Sequence, residues 1–410
     1  MTELPSRPKP PTIREVARAA GVSTALVSIV LRGAPGASEQ TRARVLAAAE
    51  QVGYRANRTA SLMKLRRTKH LGITFNVRNA FQAELAENIQ AAAAQSGYEI
   101  VPSLVTATHD ENRAIETLLG FRCESVILLG SQLPAARLAD LARELPLVLV
   151  GRRVNFGHVD VVRSADHRGQ ALVVDHLASL GHRDIVHVDG GHQPISAQRR
   201  QGYRAAMRRL GLGDHVRVVT GGDSERDGHR AAADLLRHER LPTAVCAYND
   251  HCALGVIDAL GQAGVRVPGD CSVTGYDNSL VAQLTAIDLT SVSQEAAVLA
   301  RSAVRAAVDR LEGHVAAATD TVLQPRLVVR GTSSPPGSLP GWSARVLQHG
   351  AQGAATDFAQ YRIIFRMGQE HDRQVQRPAS GPHPQGAAGP AACAAGRLVG
   401  RPEAGVAAGR

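Results

Sequence analysis

From Lys69 to about residue 334 the chain alternates between short apolar runs and amphipathic stretches, and no other feature limits its fold as tightly. Strand-like runs stand at 71–75, 98–101, 125–129, 146–150, 184–188, 216–219, 243–248 and 271–275. Helical stretches separate most of them, at about 84–96, 111–119, 135–143, 169–180, 195–210, 226–238, 252–263 and 294–312. A helix between successive apolar strands supplies the crossover that a parallel sheet needs, with helices covering its faces. About 260 residues of this pattern exceed what one sheet uses. The expectation is an α/β, doubly wound, two-lobed unit.

The preceding segment has another period. Thr12-x-x-Glu15 is a capping-box pattern, and Ile13, Val16, Ala17 and Ala20 form one helical stripe that Gly21 closes. Ser23 is placed to cap a second helix carrying Leu26, Val27, Val30 and Leu31, which Gly33 ends. After the Gly-Ala-Pro-Gly loop at 33–36, Ser38 caps a third helix through Val45, Leu46, Ala49 and Val52 to Gly53-Tyr54. Three short helices with so tight a first turn predict an all-α helix-turn-helix domain.

Charge assigns that domain a partner. Residues 1–69 hold 13 Lys/Arg against four Asp/Glu, a net of +9 out of +10 for the 410 residues. A basic module on a near-neutral body is the footprint of polyanion binding. No apolar run reaches the roughly 18–20 residues of a membrane helix. Met1–Pro11 carries four prolines and no apolar segment, unlike a secretory signal. The cysteines (Cys123, Cys246, Cys252, Cys271, Cys393) are odd in number and form no CxxC pair, which fits a reduced cytoplasm. The chain has no GxSxG, GxxxxGK[ST] or HExxH, and His176, His182, His187 and His192 lack metal-ligand spacing. The expectation is no enzyme, no metal and no cofactor.

Within the helical domain, Ser23–Arg32 is the candidate recognition helix. Such a helix needs short or polar residues toward the groove and an apolar back. Thr24, Ala25, Ser28 and Ile29 are placed to face bases, with Leu26, Val27 and Val30 packing inward. Ser23, Ser28, Ser38 and Arg32 are candidates for phosphate contacts, which position without specifying.

Thr12-Ile13-Arg14-Glu15-Val16-Ala17, Ala20-Gly21-Val22-Ser23, Val27-Ser28-x-Val30-Leu31, Ser38-x-x-Thr41-Arg42-x-x-Val45 and Gly53-Tyr54 together resemble the lactose-repressor (LacI/GalR) family of bacterial regulators. The resemblance covers residues 12 to about 334. It departs at Ile29, where members usually carry Arg or His, and at Arg32, where Asn is usual. It therefore implies an altered half-site, with Ile29 making apolar contact to a base such as a thymine methyl. It also implies DNA contact by Thr12 and a hinge at Asn57–Lys69 that folds on DNA, with Met63, beside Leu62, wedged into the minor groove. The remainder resembles the family's sensor domain, whose fold is shared with periplasmic sugar-binding proteins. The markers are Leu71-Gly72, Gly181-His182-Arg183-x-Ile185, Arg199-x-x-Gly202-Tyr203, Asn249-Asp250-x-x-Ala253-x-Gly255 and Gly275-Tyr276-Asp277. By resemblance Arg199, Asn249 and Asp277 contact an effector, with Phe81 beside it. Phe81 has an equal reading as core, and Asp223 stands near where some members carry a stacking aromatic.

The expected organisation is an arm at 1–11, the reader at 12–56, the hinge at 57–69, an effector-binding and dimerisation domain at 70–334, and a tail at 335–410. The tail, rich in Gly, Ala, Pro, Gln and Arg, reads as low-complexity and disordered, either a genuine extension or the product of a shifted frame. These features lead to a cytoplasmic regulator, in the sense of a repressor, that binds pseudo-palindromic operator DNA as a homodimer or tetramer under control of a small molecule such as a sugar. The alternative weighed is a sugar-binding transport component, against which the basic reader and the missing signal peptide speak.

Overall fold

The computed structural model of the chain describes residues 11–31, 33–54, 67–154 and 157–337. Its first three helices are α1 (Ile13–Ala20), α2 (Thr24–Leu31) and α3 (Glu39–Gln51). The Thr12 N–H donates to Glu15 Oε2 at 2.6 Å, and Gly21 takes φ +61° where the chain must turn sharply into α2. Val16, Ala17, Ala20, Val27, Val30, Val45, Ala48 and Ala49 form a small shared core. Two expectations shift here. Leu46 is 50% exposed, because the buried stripe of α3 runs through Val45, Ala48, Ala49 and the partly buried Val52, about 100° round the helix from it. Leu26 is only half-buried and lies outside the core, whose edge Leu31 fills instead.

Two six-stranded sheets follow. The strands of the first are β1 (His70–Asn76), β2 (Glu99–Val105), β3 (Ser125–Leu129), β4 (Leu147–Val150), β5 (Val159–Ser164) and β11 (Asp320–Leu323). They lie in the order β11-β5-β4-β3-β1-β2, all parallel. The second sheet uses β6 (Ile185–Asp189), β7 (Arg217–Thr220), β8 (Ala244–Ala247), β9 (Ser272–Asp277), β10 (Thr290–Ser293) and β12 (Arg326–Val328). Its order is β12-β10-β9-β8-β6-β7, with only β12 antiparallel. β3, β4, β6 and β8 are buried at every residue, the pattern of strands covered on both faces.

The helices between strands are α4 (Ala80–Gln95), α5 (Glu111–Gly120), α6 (Ala135–Glu144), α7 (Asp166–Ser179), α8 (Ser196–Arg209), α9 (Glu225–Leu236), α10 (Asp250–Gln262) and α11 (Ala296–Leu311). All eight helices read from sequence are present. Four strands were missed: β5, β10, β11 and β12. They explain how the lobes are joined. The chain leaves the first sheet after β5, returns after β10 so that α11 packs on the first lobe through Leu299, Ala300, Ala303 and Val304, and crosses again between β11 and β12. Gly255, one of the sequence markers, is a packing device: a Cβ there would lie 1.8 Å from the Glu225 carbonyl oxygen, so only glycine lets α10 sit this close to α9.

Candidate DNA-reading surface and ligand cleft

On α2, Thr24 and Ala25 are exposed and Ser28 and Ile29 half-buried, while Val27 and Val30 hold the helix to its domain. Ser23 Oγ accepts from the Leu26 N–H at 3.2 Å, and Ser38 Oγ from the Thr41 N–H at 3.3 Å. Thr12, Ser23 and Ser38 are all exposed and each stands just ahead of a helix, where backbone N–H groups and the helix dipole favour an anion. Arg42 on α3 braces the loop after α2, donating from Nη2 to the Ala34 carbonyl at 3.0 Å. Arg32, Asn57, Leu62 and Met63 lie outside the described residues. The root of the expected hinge is described. Glu312, just past α11, accepts from Lys69 Nζ at 2.9 Å, Tyr98 Oη at 2.8 Å and Arg67 Nη1 at 3.3 Å. Those donors pull its carboxyl down to about 2, the Lys69 bond first.

The second site is the cleft where the carboxyl ends of the two sheets face each other, the place where open α/β sheets take ligands. Phe81, Arg199, Asn249 and Asp277 all line it. Arg199 is 2% exposed. Its Nε donates to Asp166 Oδ1 at 2.9 Å and its Nη1 to the Tyr248 carbonyl at 2.5 Å. Its guanidinium lies 3.5 Å from the ring centre of Tyr276, stacked as well as paired. Burial disfavours the charge, yet Asp166 and Asp277 hold Arg199 protonated. Asp277 ends β9 at φ +106° and accepts from Gln294 Nε2 at 2.7 Å.

Burial raises the Asp277 carboxyl to about 7 against the pull of Arg199, with Asp250 and Asp166 adding repulsion. Asp166 and Asp277 thus share one guanidinium, with the enclosed Asp250 repelling Asp277, and the field cannot hold all three carboxylates ionised at low cost. Asp250 is the best satisfied, accepting from the Ser279 N–H at 2.7 Å, Ser279 Oγ at 2.8 Å and Ser291 Oγ at 2.6 Å.

Asn249 is already employed. Its Oδ1 caps α10 by accepting from the Cys252 N–H at 2.8 Å, and its Nδ2 donates to the Asp223 carbonyl at 3.0 Å. One lone pair and one N–H remain. Phe81, 9% exposed, combines both of its readings: it lines the cleft and belongs to the core of the first lobe. The cleft also gathers Gln82, Arg152, Gln193, Asp223 and Gln294, of which only Asp223 was noticed in the sequence. Bonds between the lobes include Gln132 Nε2 to Gln193 Oε1 at 3.0 Å. Another joins the Ala80 N–H to His251 Nε2 at 3.4 Å.

Residues 12–57 match the model of bacterial regulatory proteins of the lacI family, and residues 174–333 that of the periplasmic binding protein-like domain. The HTH-type transcriptional regulator GalR of Escherichia coli (strain K12) is 31% identical over 330 residues, 79% of this chain and 96% of GalR. The chain belongs to the LacI family. Two solved structures extend that membership to nearly the whole described fold. The lac repressor dimer bound to operator and the anti-inducer ONPF shares 25% identity with a TM-score of 0.69, covering 80% of this chain and all of that one. The complex of the transcriptional regulator CelR with cellobiose shares 28% identity with a TM-score of 0.59, covering 79% of this chain and all of that one. As a LacI-family member the chain is a DNA-binding transcription regulator, with its helix-turn-helix ahead of a two-lobed α/β body. Among the described residues no helix is long and apolar enough to cross a membrane, and no cluster of His, Cys, Asp and Glu is arranged to hold a metal ion.

Proposed function

We propose that this LacI-family regulator represses transcription by binding a pseudo-palindromic operator as a homodimer, and that a sugar or related polyhydroxylated metabolite in the cleft controls its grip. The carrying observation is the cleft's polar lining. Arg199, Asp277, Gln294, Gln193, Asn249 and Arg152 converge on one space from both lobes, with Phe81 as an apolar wall. Paired donors and acceptors on opposing walls suit a ligand that both donates and accepts through many hydroxyls. A ligand touching both lobes has different contacts in open and closed arrangements, which is what lets it shift a conformational equilibrium. A homodimer suits the reader, since two recognition helices on a two-fold axis read two half-sites. Val77, Leu280 and Leu284, each 47% or more exposed, give the body an apolar surface for a second copy. The cytoplasm is the compartment where such a protein meets DNA, and the site's groups serve binding and not catalysis.

The test is selection of bound fragments from a random DNA library by the purified chain, followed by addition of a sugar panel. The expected result is a two-half-site consensus whose affinity falls about a thousandfold between low and moderate salt, and which one sugar shifts. Residues 70–410 alone should capture nothing. Equal capture by that truncated chain, or absence of any consensus, would overturn the proposal.

A further inference from the structure

A second open pocket stands apart from the cleft. It lies at the opposite, amino-terminal edge of the second sheet, has a volume of about 500 Å³, and is lined by Arg183, Arg217, Arg240, His215, Asp184 and Asp214 among others. Asp184 immediately precedes β6, Arg217 opens β7, and Thr243, also in the lining, precedes β8. Strands of four or five residues separate this edge from the cleft by about 15 Å.

Arg217 is the telling residue. Its Nε and Nη2 are closed off from solvent without a hydrogen-bond partner. The nearby carboxylate of Asp184 is 3.8 Å from Nη2, an ion pair too long for a hydrogen bond. A guanidinium presents a planar fork that matches two oxygens of an oxyanion, and leaving those donors unmet in a sheltered place is costly. Arg183 and Arg240 stand exposed on the same rim, so three guanidiniums outweigh the two aspartates.

We propose that this pocket binds a phosphate group, either inorganic phosphate or the phosphate end of a small phosphorylated metabolite, as a second ligand site separate from the cleft. The Arg217 side chain, 35% exposed as a whole, turns on binding so that Nε and Nη2 meet two oxygens, and Arg183 and Arg240 close over the remaining charge. Asp184 competes for the same donors, which sets the affinity and gives the site a directional signature.

Calorimetric titration of the full chain with inorganic phosphate, and in parallel with glycerol 3-phosphate, tests this. Arg217→Gln should weaken binding at least tenfold, Asp184→Asn should strengthen it several-fold, and Arg209→Gln, an exposed arginine of α8 paired with Asp175, should leave it unchanged. Melting curves of each variant establish that it is folded. The Arg217 backbone keeps its bonds to Tyr203 whatever its side chain. Tighter binding of the ester than of the free ion points to a metabolite, and the reverse to phosphate itself. No binding by either probe, equal binding by folded Arg217→Gln, or equal loss in Arg209→Gln would overturn the proposal.

Discussion

Asp277 is bonded more closely to Gln294 than to the cation it faces: Gln294 Nε2 donates to Asp277 Oδ1 at 2.7 Å, whereas Arg199 Nη2 reaches the same oxygen at 3.5 Å. The neutral amide holds the carboxyl in place while the better part of Arg199 is spent on Asp166. This leaves Asp277 able to gain or lose a proton near neutrality, with a carboxyl raised to about 7, chiefly by burial.

The first prediction follows from that shift. A carboxyl raised in the folded state is protonated there at pH values where the unfolded chain has already lost the proton. Its contribution to stability is therefore fully present below about pH 4 and is lost as pH rises through about 7. Thermal melting of Asp277→Asn should show less fall in stability between pH 5 and 8 than the natural chain. Parallel profiles for the two proteins would mean that Asp277 does not titrate in this window.

Arg199 carries a structural load as well as its proposed ligand role. Truncation leaves Asp166 and Asp277 buried without their cation, which costs about 3–5 kcal/mol. Arg199→Ala should lower the unfolding free energy by that order in denaturant titrations. Arg199→Lys should recover only part of it, because an ammonium cannot serve Asp166 and the Tyr248 carbonyl through one planar fork. A folded Arg199→Ala of unchanged stability would contradict the observed network.

Where the sequence failed to reveal strands, it also failed to reveal site residues. β5 reads Val-Asp-Val-Val-Arg-Ser and β10 reads Thr-Ser-Val-Ser, too polar to resemble buried strands. Asp160 is tolerated inside β5 because Arg310 donates to it from Nε at 2.5 Å and Nη2 at 2.8 Å, a partner 150 residues away with no local signal. Ser164 ends β5 and Gln294 follows β10, so the unseen strand ends hid cleft residues. Arg152 was within reach, standing two residues past the expected end of β4. Phe81, Arg199, Asn249 and Asp277 were legible because they occupy positions of a recognisable pattern. Periodicity gave the helices, whose apolar stripes are local. It misjudged Leu46, whose exposure depends on how α3 is turned against its neighbours.

Glu312 ties the root of the expected hinge to the end of α11, a helix that begins two residues after Gln294 in the cleft wall. Glu312→Gln should leave ligand affinity within about twofold while weakening the effect of ligand on operator affinity severalfold. Both are read by titration of one labelled operator. An unaltered ligand effect would show that the Lys69, Arg67 and Tyr98 bonds only brace the fold.

The sequence resemblance sets Ile29 where an arginine or histidine is expected to read a base, and a role for Ile29 in base reading is our proposal. A bidentate arginine at a base edge discriminates by about 1–3 kcal/mol. Ile29→Arg should therefore change the preferred base at one position of each half-site in a randomised-operator selection. Arg14→Ala should at most weaken all sequences alike. An identical consensus for Ile29→Arg would show that this position does not read the operator.

The measurement that bears most directly on the account is operator affinity of Asp277→Ala, with and without the sugar that shifts the natural chain. Asp166 still pairs with Arg199 in this variant, so the fold and the helix-turn-helix remain in place. Removing one partner of a buried, hydrogen-bonded contact costs about 2–5 kcal/mol of binding. The account predicts unchanged operator affinity without sugar and no shift at sugar concentrations that saturate the natural chain. A variant that binds operator normally and still responds at the same sugar concentration would contradict the placement of the controlling ligand in the cleft.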